Sequence, residues 1–169
     1  FEYLRVTAQG RLAFLAQGAT DQREGQNLRV FFSAEGEVLK LSSGRIVEFS
    51  SRQRHVVVRP SPEFPPWNIA KEAVFAIETD MRPGYLFSSQ RSLLLRPLPK
   101  PPGNLRLEGL SPLSLQWFEE IDQTPNAHQR RSIYAVLFVA EGAQVVYSEQ
   151  CIAADLCLTL QRWRASGSY

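Results

Sequence analysis

The feature that most constrains this chain is a succession of short β-prone runs separated by turn dipeptides. Runs rich in Val, Ile, Leu and Phe are divided by Gln9-Gly10, Glu35-Gly36, Ser43-Gly44 and Glu141-Gly142. Glycine in such a dipeptide supplies the positive φ that a tight hairpin turn requires. Because parallel strands need a long crossover connection, turns this short predict antiparallel meanders.

Strand predictions follow from these runs and cover most of the chain. They comprise residues 3–8, 11–16, 28–33, 37–41, 45–49, 55–59, 73–79, 92–96, 132–140, 144–149 and 156–163. Residues 20–27 are uniformly polar and are predicted as a loop. The predicted fold class is all-β with little helix, in which antiparallel meanders form a sandwich or a strongly bent, partly closed barrel.

Two segments carry helix signals. Residues 111–121 begin with Ser111-Pro112, a helix cap followed by proline at the first helical position. The second half of this segment alternates in the manner of a strand, and we favour a strand there. Residues 68–72 are predicted as one helical turn capped by Asn68.

The length of 169 residues suits one β domain, residues 1–169. A proline-rich stretch, residues 97–103, either separates two subdomains or forms a long crossover. With 44% apolar and 11% aromatic residues, the chain has ample surface to bury, which argues against disorder. No window approaches the apolar length of a transmembrane helix.

The charge composition argues against nucleic acid as a partner. Of 19 basic residues, three (Lys40, Lys71 and Lys100) are lysines, so the other 16 are arginines. They are spread among 17 acids and leave a net charge of only +2. A nucleic-acid-binding domain usually concentrates a larger basic excess on one face.

The two cysteines, Cys151 and Cys157, are separated by five residues. This gap is wider than zinc-knuckle spacing and no second ligand pair follows, so the pattern argues against a metal site. We predict a local disulfide, which would indicate an oxidising compartment such as the bacterial periplasm. The alternative is a pair of partly buried free thiols.

A basic stretch in the first half is a candidate site for an anionic sugar polymer, a lipid phosphate or a protein partner. Guanidinium groups bind carboxylates and phosphates through charge-assisted hydrogen bonds. The alternatives are a solvated hairpin face, or arginines that pair with acids elsewhere in the chain. The candidate residues are Arg45, Arg52, Arg54 and Arg59, together with His55.

The three tryptophans, Trp67, Trp117 and Trp163, are candidate platforms for stacking on sugar rings. This interpretation requires that the rings are exposed on one face of the domain. Large aromatic rings more often fill a protein core, which is the alternative for each of them.

No catalytic constellation is evident, and we predict a protein that is not an enzyme and uses no cofactor or metal. Glu119 and Glu120 are the only paired carboxylates in an apolar setting, but neighbours on a strand face opposite sides of the sheet. The two histidines, His55 and His128, carry no local signature of a Ser-His-Asp arrangement. The sequence also has no glycine-rich phosphate-binding loop.

Three stretches together carry a family resemblance: residues 34–47 (AEGEVLKLSSGRIV), residues 80–87 (DMRPGYLF) and residues 145–163. The first stretch resembles the meander core of YjbF/GfcB-type lipoproteins. The second resembles the turn that opens the second half of those proteins, and the third resembles their C-terminal hairpin. Those lipoproteins are encoded in loci for group 4 capsule and exopolysaccharide. The likeness runs over residues 3–163.

The resemblance implies a periplasm-facing protein of a Gram-negative bacterium, held at the outer membrane by a lipidated cysteine upstream of Phe1. It also implies partners from such a locus, namely an outer-membrane β-barrel protein and periplasmic proteins. By analogy the protein would assist polysaccharide secretion by docking, through an exposed strand edge or by covering an opening of the barrel. The alternative is a carbohydrate-binding module that recognises anionic polysaccharide through exposed Trp or Tyr and Arg. The resemblance supplies no catalytic residue.

Overall fold

The computed structural model describes residues 2–125 and 130–163, which form twelve β-strands and one 3-10 turn, Pro112–Ser114. The strands are β1 (Tyr3–Ala8), β2 (Arg11–Arg23), β3 (Gln26–Ser33), β4 (Val38–Ser42), β5 (Arg45–Ser50), β6 (His55–Ser61), β7 (Ala73–Arg82), β8 (Leu86–Leu98), β9 (Gln116–Asp122), β10 (Arg131–Val139), β11 (Gly142–Ala153) and β12 (Leu156–Trp163). In this part of the chain no helix has the length and apolar character needed to cross a membrane.

All twelve strands belong to one antiparallel sheet that closes into a barrel. Each strand pairs with its neighbours in sequence, and β1 pairs with β12 from Tyr3↔Trp163 to Ala8↔Leu158. The prediction of an all-β meander is confirmed, and the arrangement is the barrel rather than the sandwich. Each of these twelve strands has two neighbours, but residues 17–23 of β2 and 86–91 of β8 extend past the end of one neighbour and pair on one side only, so strand edges remain in these two segments.

The two ends of the barrel differ. The turn end carries the short turns that join β1 to β2, β3 to β4, β5 to β6, β7 to β8 and β11 to β12. The strap end carries both ends of the described chain, Glu2 and Trp163, and the longer connections 62–72 and 99–115.

Alternation along the strands divides the side chains between the lumen and the outer surface. The inward-facing residues form one continuous apolar core inside the barrel. Phe31, Leu39, Val56 and Leu95 are completely buried in it. The lumen is therefore largely packed with side chains, as in other small barrels.

Residues 20–27, predicted as a loop, instead extend β2 and β3 into a long hairpin that turns at Glu24-Gly25. The backbone ladder holds this hairpin, and most of its β2 side chains are exposed, so polar residues are tolerated. Residues 68–72 form no helical turn, because their connection follows the packing of Trp67. By contrast, residues 111–121 carry both predicted features, a 3-10 turn and then β9.

β5 separates from β6 before either strand ends. The two strands pair only over residues 48–50 and 55–57, whereas β6 stays paired with β7 as far as Ser61. Pro60 lies in the part of β6 that β5 leaves, where a missing N–H removes no hydrogen bond to β5. The backbone of residues 45–47 therefore needs partners other than β6.

The connection between β6 and β7, residues 62–72, packs into the barrel. Phe64, Trp67 and Ile69 contact the lumen core. Its prolines suit an extended path that needs no ladder partners. The connection is therefore a packed loop.

Residues 99–115, here called the strap, cross the outer surface of β9, β10 and β11. Leu107 and Leu115 of the strap help to form a second, smaller core around Trp117. The Trp117 Nε1 donates a hydrogen bond to the carbonyl of Pro112 at 2.8 Å. The strap joins β8 to β9, which are adjacent strands of the same barrel.

The predicted disulfide is present. Cys151 and Cys157 are bonded to each other and are cross-strand partners in β11 and β12. The spacing permits this pairing because the hairpin turns at residues 154–155. The bond therefore fastens the hairpin whose second strand closes the barrel against β1.

The β4–β5 turn brings Gly44 against β11 across the lumen. A Cβ at Gly44 would overlap the side chain of Val145, and its φ of +83° lies in the left-handed region. The comparable β1–β2 turn has Gly10 at φ +76°, with open space around the position of a Cβ. Gly44 is thus constrained by backbone and packing, and Gly10 by backbone alone.

Gly44→Ala and Gly10→Ala form a matched pair that tests this packing. We expect Gly10→Ala to lower the free energy of unfolding by about 1 kcal/mol, the cost of a left-handed alanine. Gly44→Ala should cost roughly 1–3 kcal/mol more, because the added methyl overpacks the lumen. Urea unfolding measures both variants. Equal losses would contradict the close approach of the turn to Val145.

Candidate functional site

A buried ion pair joins β5 and β9 across the lumen. The Nε of Arg45 donates to Oε1 of Glu120 at 2.7 Å, and their side chains are 2% and 6% exposed. Burying a charge is costly unless the charge is paired. Each of these residues therefore depends on the other, although 75 positions separate them in the chain.

Aromatic rings surround the guanidinium group of Arg45. Its Cζ lies 3.7 Å from the ring centroid of Trp67, 5.0 Å from that of Phe64 and 5.8 Å from that of Tyr134. Within residues 2–125 and 130–163, no acceptor reaches its Nη1 or Nη2. The ring faces thus provide electrostatic stabilisation that hydrogen bonds do not. The Trp67 ring is itself fixed, because its Nε1 donates to the carbonyl of Ser43 at 2.8 Å.

Gln150 of β11 bonds the backbone of β5 where β6 has left it. Its Oε1 accepts from the N–H of Ile46 at 2.8 Å, and its Nε2 donates to the carbonyl of Gly44 at 2.8 Å. A side-chain amide offers both a donor and an acceptor, so it can take the place of a neighbouring strand. Gln150 therefore ties β5 to β11 across the lumen.

The hydroxyl of Tyr134 completes this arrangement. It donates to Oε2 of Glu120 at 2.8 Å and lies 3.4 Å from Oε1 of Gln150. Burial and then the negative charge of Glu120 raise the pKa of Tyr134 well above its ordinary value, so the phenol keeps its proton and its donor role. Arg45, Glu120, Tyr134 and Gln150 together are called the polar layer.

A small cavity and a second ion pair adjoin the polar layer. The cavity has a volume of about 40 Å³ and is lined by Arg45, Arg91, Glu120 and Tyr134 among others, so it is large enough to admit water. The Nη1 of Arg91 lies 3.3 Å from Oδ2 of Asp122, which is 1% exposed. Burial lowers the pKa of Arg91, and the charge of Asp122 opposes this shift.

The structure does not bring the two predicted acids of β9 together. Glu120 faces the lumen, whereas Glu119 faces outward, where the Nε of Arg96 donates to it at 2.6 Å and Arg131 forms a second ion pair with it. Opposite orientation is what strand geometry dictates for neighbours. Each carboxylate is neutralised by its own basic partner, and the two do not form a shared acid site.

The predicted basic stretch is dispersed by the fold. Arg45 lies in the lumen and offers no surface to a partner, which corrects its assignment as a contact residue. Arg59 pairs with Asp80 at 2.7 Å on the outer surface of β6 and β7. The alternative of arginines paired with acids elsewhere therefore describes these two residues.

The remaining basic residues lie towards the turn end. Arg54 donates to both carboxylate oxygens of Asp155, at 2.8 and 2.6 Å, and Arg52 is exposed in the β5–β6 turn. His55 lies 3.3 Å from a carboxylate oxygen of Glu48. His128 falls outside the described residues.

Two of the three tryptophans are buried. Trp67 lies in the lumen and Trp117 lies beneath the strap, and they are 4% and 2% exposed. Neither ring can stack on a polysaccharide, which corrects their assignment as platforms. Trp163 is half-buried on the outer surface, edge-on to Phe14 with ring centroids 5.6 Å apart. It lines a groove of about 350 Å³.

An exposed apolar cluster at the turn end was not predicted as a site. Tyr85, Leu86 and Phe87, here called the hairpin tip, follow the β7–β8 turn and are 75%, 44% and 53% exposed. The guanidinium of Arg82 lies 5.6 Å from the ring centroid of Phe87. The signal was present in the sequence, because three large apolar residues after Pro83-Gly84 are unusual in a turn region that normally favours polar residues.

A double-mutant cycle tests the polar layer. Glu120→Leu should lower the free energy of unfolding by roughly 3–5 kcal/mol, because it leaves the buried charge of Arg45 without its partner. Adding Arg45→Met should recover much of this loss, since both charges are then removed. Urea unfolding of the singles and the double gives the coupling energy.

The exposed pair at the turn end provides the control for this cycle. Asp155→Asn removes the partner of Arg54 but should change stability little, because water and salt screen an exposed pair. If the changes in the free energy of unfolding caused by the Arg45 and Glu120 substitutions are strictly additive, the buried ion pair is contradicted.

The fold is similar to that of a solved bacterial protein. The chain matches the crystal structure of the hypothetical lipoprotein YmcC from Escherichia coli (K12) with a TM-score of 0.67, over 99% of this chain and 86% of that chain. The two sequences are 14% identical, so the likeness establishes a shared fold and nothing about activity. No protein-family model and no curated protein matches the chain.

Proposed function

We propose that this protein is a periplasm-facing outer-membrane lipoprotein that assists exopolysaccharide or capsule secretion by docking on partner proteins, without catalysing a reaction. The observation that carries the proposal is the hairpin tip. Further support comes from the fold shared with YmcC, itself a hypothetical lipoprotein. The proposed link to a polysaccharide locus rests on the sequence resemblance to YjbF/GfcB-type lipoproteins.

The hairpin tip has the chemistry of a protein contact. Exposed clusters of large apolar side chains are uncommon on soluble domains and mark interaction surfaces. Aromatic residues and arginine are also the residues that contribute most to binding energy at interfaces. Tyr85, Phe87 and Arg82 supply this combination at the end of one hairpin. Residues 80–87 are also one of the three stretches that carry the family resemblance.

The geometry of the barrel suits a tethered adaptor. β1 begins with Tyr3 at the strap end, whereas the hairpin tip lies at the turn end. A lipid anchor upstream of Phe1 would hold the strap end near the membrane. The hairpin tip would then project away from the membrane, where it can reach a partner.

The neutralised charges of the lumen support contact rather than turnover. Glu120 is held by Arg45 and Tyr134, and Glu119 is held on the opposite face. A general acid or base needs a free proton position within reach of a substrate. The rigid barrel instead serves as a scaffold that presents its surface.

Replacing Tyr85 and Phe87 together by Ser tests the proposed docking. In a strain that lacks the gene, this variant should restore surface polysaccharide no better than an empty vector, because losing two aromatic anchors weakens a contact by about 2 kcal/mol or more. The thermal stability of the purified barrel should stay near that of wild type, since both side chains are exposed. Polysaccharide is quantified on the cell surface.

Leu113→Ser is the matched control, because Leu113 is 83% exposed but lies on the strap. This variant should restore polysaccharide fully. A photo-crosslinker placed at Phe87, but not at Leu113, should capture a product of the polysaccharide locus. Full secretion by the Tyr85 and Phe87 variant would refute docking through the hairpin tip.

A second candidate function, carbohydrate binding, is favoured by the groove beside Trp163. Arg162 and Gln144 also line this groove, and Arg162 donates to Gln144 at 2.6 Å. An aromatic ring next to polar groups is suited to stacking on a sugar ring while the polar groups form hydrogen bonds with the hydroxyls or carboxylates of that sugar. This is the one predicted tryptophan that the fold leaves partly accessible.

Trp163→Ala tests this alternative. It should weaken binding to the purified acidic polysaccharide of the producing strain about fivefold, the value of one aromatic stacking contact. Leu113→Ala is the control and should bind as wild type does. Absence of saturable binding by the wild-type protein in calorimetry would exclude the carbohydrate-binding alternative and leave docking untouched.

A further inference from the structure

The lumen is not filled at the turn end. A cavity of about 470 Å³ lies there, and its lining includes residues of the β1–β2 turn and the β5–β6 turn, so it is open to solvent. Protein interiors are close-packed and leave few voids larger than a water molecule. A cavity of this volume instead falls in the size range of small-molecule binding sites.

The depth of this cavity is apolar, whereas its lining also includes the polar residues Gln9, Glu37, Ser51 and Gln53 near the turns. Its deeper lining is made of small and aliphatic side chains that face inward from β1, β2 and β12, and these are Val6, Ala8, Ala13, Leu15, Leu156 and Leu158. Along β1 and β2 the register runs inward from Ala8↔Arg11 through Val6↔Ala13 to Leu4↔Leu15. The cavity therefore becomes entirely aliphatic along β1 and β2 behind Arg11.

The rim of the cavity carries an arginine without an acidic partner. Arg11 lines the cavity and shares the inward face with Ala8, its register partner. No carboxylate of residues 2–125 and 130–163 lies within 4.0 Å of its guanidinium nitrogens. Arg54, the other arginine of the rim, is already neutralised by Asp155. The rim thus offers one guanidinium without an ion-pair partner above an aliphatic interior, together with the Glu37 carboxylate, which accepts a hydrogen bond from the Oγ of Ser33.

We propose that this cavity binds a single acyl chain that ends in an anionic head group, with the chain in the lumen and the head group at Arg11. A methylene chain matches the aliphatic residues of β1, β2 and β12 that line the depth of the cavity. A carboxylate or phosphate accepts the charge-assisted hydrogen bonds that the free guanidinium can donate. The site is distinct from the hairpin tip and from the Trp163 groove.

Titration calorimetry with octanoate, decanoate and dodecanoate, each below its micelle concentration, tests the site. Affinity for the wild-type protein should rise about fourfold per added methylene until the cavity is full, because each buried methylene contributes about 0.8 kcal/mol. Lysophosphatidylglycerol of the same chain length is titrated in parallel. If lysophosphatidylglycerol binds more tightly than the fatty acid, the acyl chain belongs to a membrane lipid. If it binds more weakly, the acyl chain belongs to a free fatty acid.

Two pairs of variants locate the ligand. Ala13→Trp fills the cavity and should abolish binding, whereas Ala76→Trp, on the exposed outer face of β7, should not. Arg11→Gln should weaken decanoate about tenfold, the value of a charge-assisted hydrogen bond, and leave the uncharged decanol unchanged. Arg5→Gln, an exposed arginine on the outer face of β1, is its control and should affect neither ligand.

The proposal is overturned if no chain binds saturably to the wild-type protein. It is also overturned if Arg11→Gln and Arg5→Gln weaken decanoate equally, and this comparison holds even if Ala13→Trp fails to fold. None of these substitutions touches the hairpin tip, so surface polysaccharide in the complemented strain reports on docking separately from acyl binding.

Discussion

The buried charge of Arg45 is the constraint on which the interior of the barrel depends. A guanidinium inside an apolar lumen is tolerated only when it is paired and enclosed by favourable groups. Glu120 supplies the charge and Trp67 supplies a ring face at 3.7 Å. To reach Trp67, the chain leaves β6 at Ser61 and packs residues 62–72 into the barrel. The separation of β5 from β6 makes room for this connection, and Gln150 bonds the backbone that the separation exposes.

This arrangement divides the lumen by chemistry. The middle holds the polar layer, in which each charged group already has its partner. The turn end holds an aliphatic cavity beneath Arg11, beside a hairpin whose tip exposes three large apolar side chains. The outer surface holds the strap and the Trp163 groove. What remains available for contact is therefore at the ends and on the outside of the barrel.

Local structure was largely predictable from the sequence, whereas the sites were not. Dipeptides such as Ser43-Gly44 and Glu141-Gly142 marked hairpins because short-range backbone geometry determines them. The hairpin of residues 20–27 was missed because its strands are held by the backbone ladder and carry polar side chains. The burial of Trp67 and the pairing of Arg45 with Glu120 depend on packing between segments far apart in the chain, which no local pattern encodes. The hairpin tip was readable, since Tyr85, Leu86 and Phe87 follow a turn in which polar residues are expected.

Amide hydrogen exchange at Ile46 tests most directly whether the polar layer braces the barrel across its lumen. The N–H of Ile46 has its acceptor in the side chain of Gln150 rather than in a neighbouring strand. It should therefore exchange as slowly as the amide of Leu39 in the central core, where opening requires global unfolding. In the Gln150→Leu variant the Ile46 amide should exchange faster than in the wild-type protein, whereas the exchange of the Leu39 amide should not change. If Ile46 in the wild-type protein exchanges as fast as the exposed turn amide of Gly84, the polar layer does not brace the lumen.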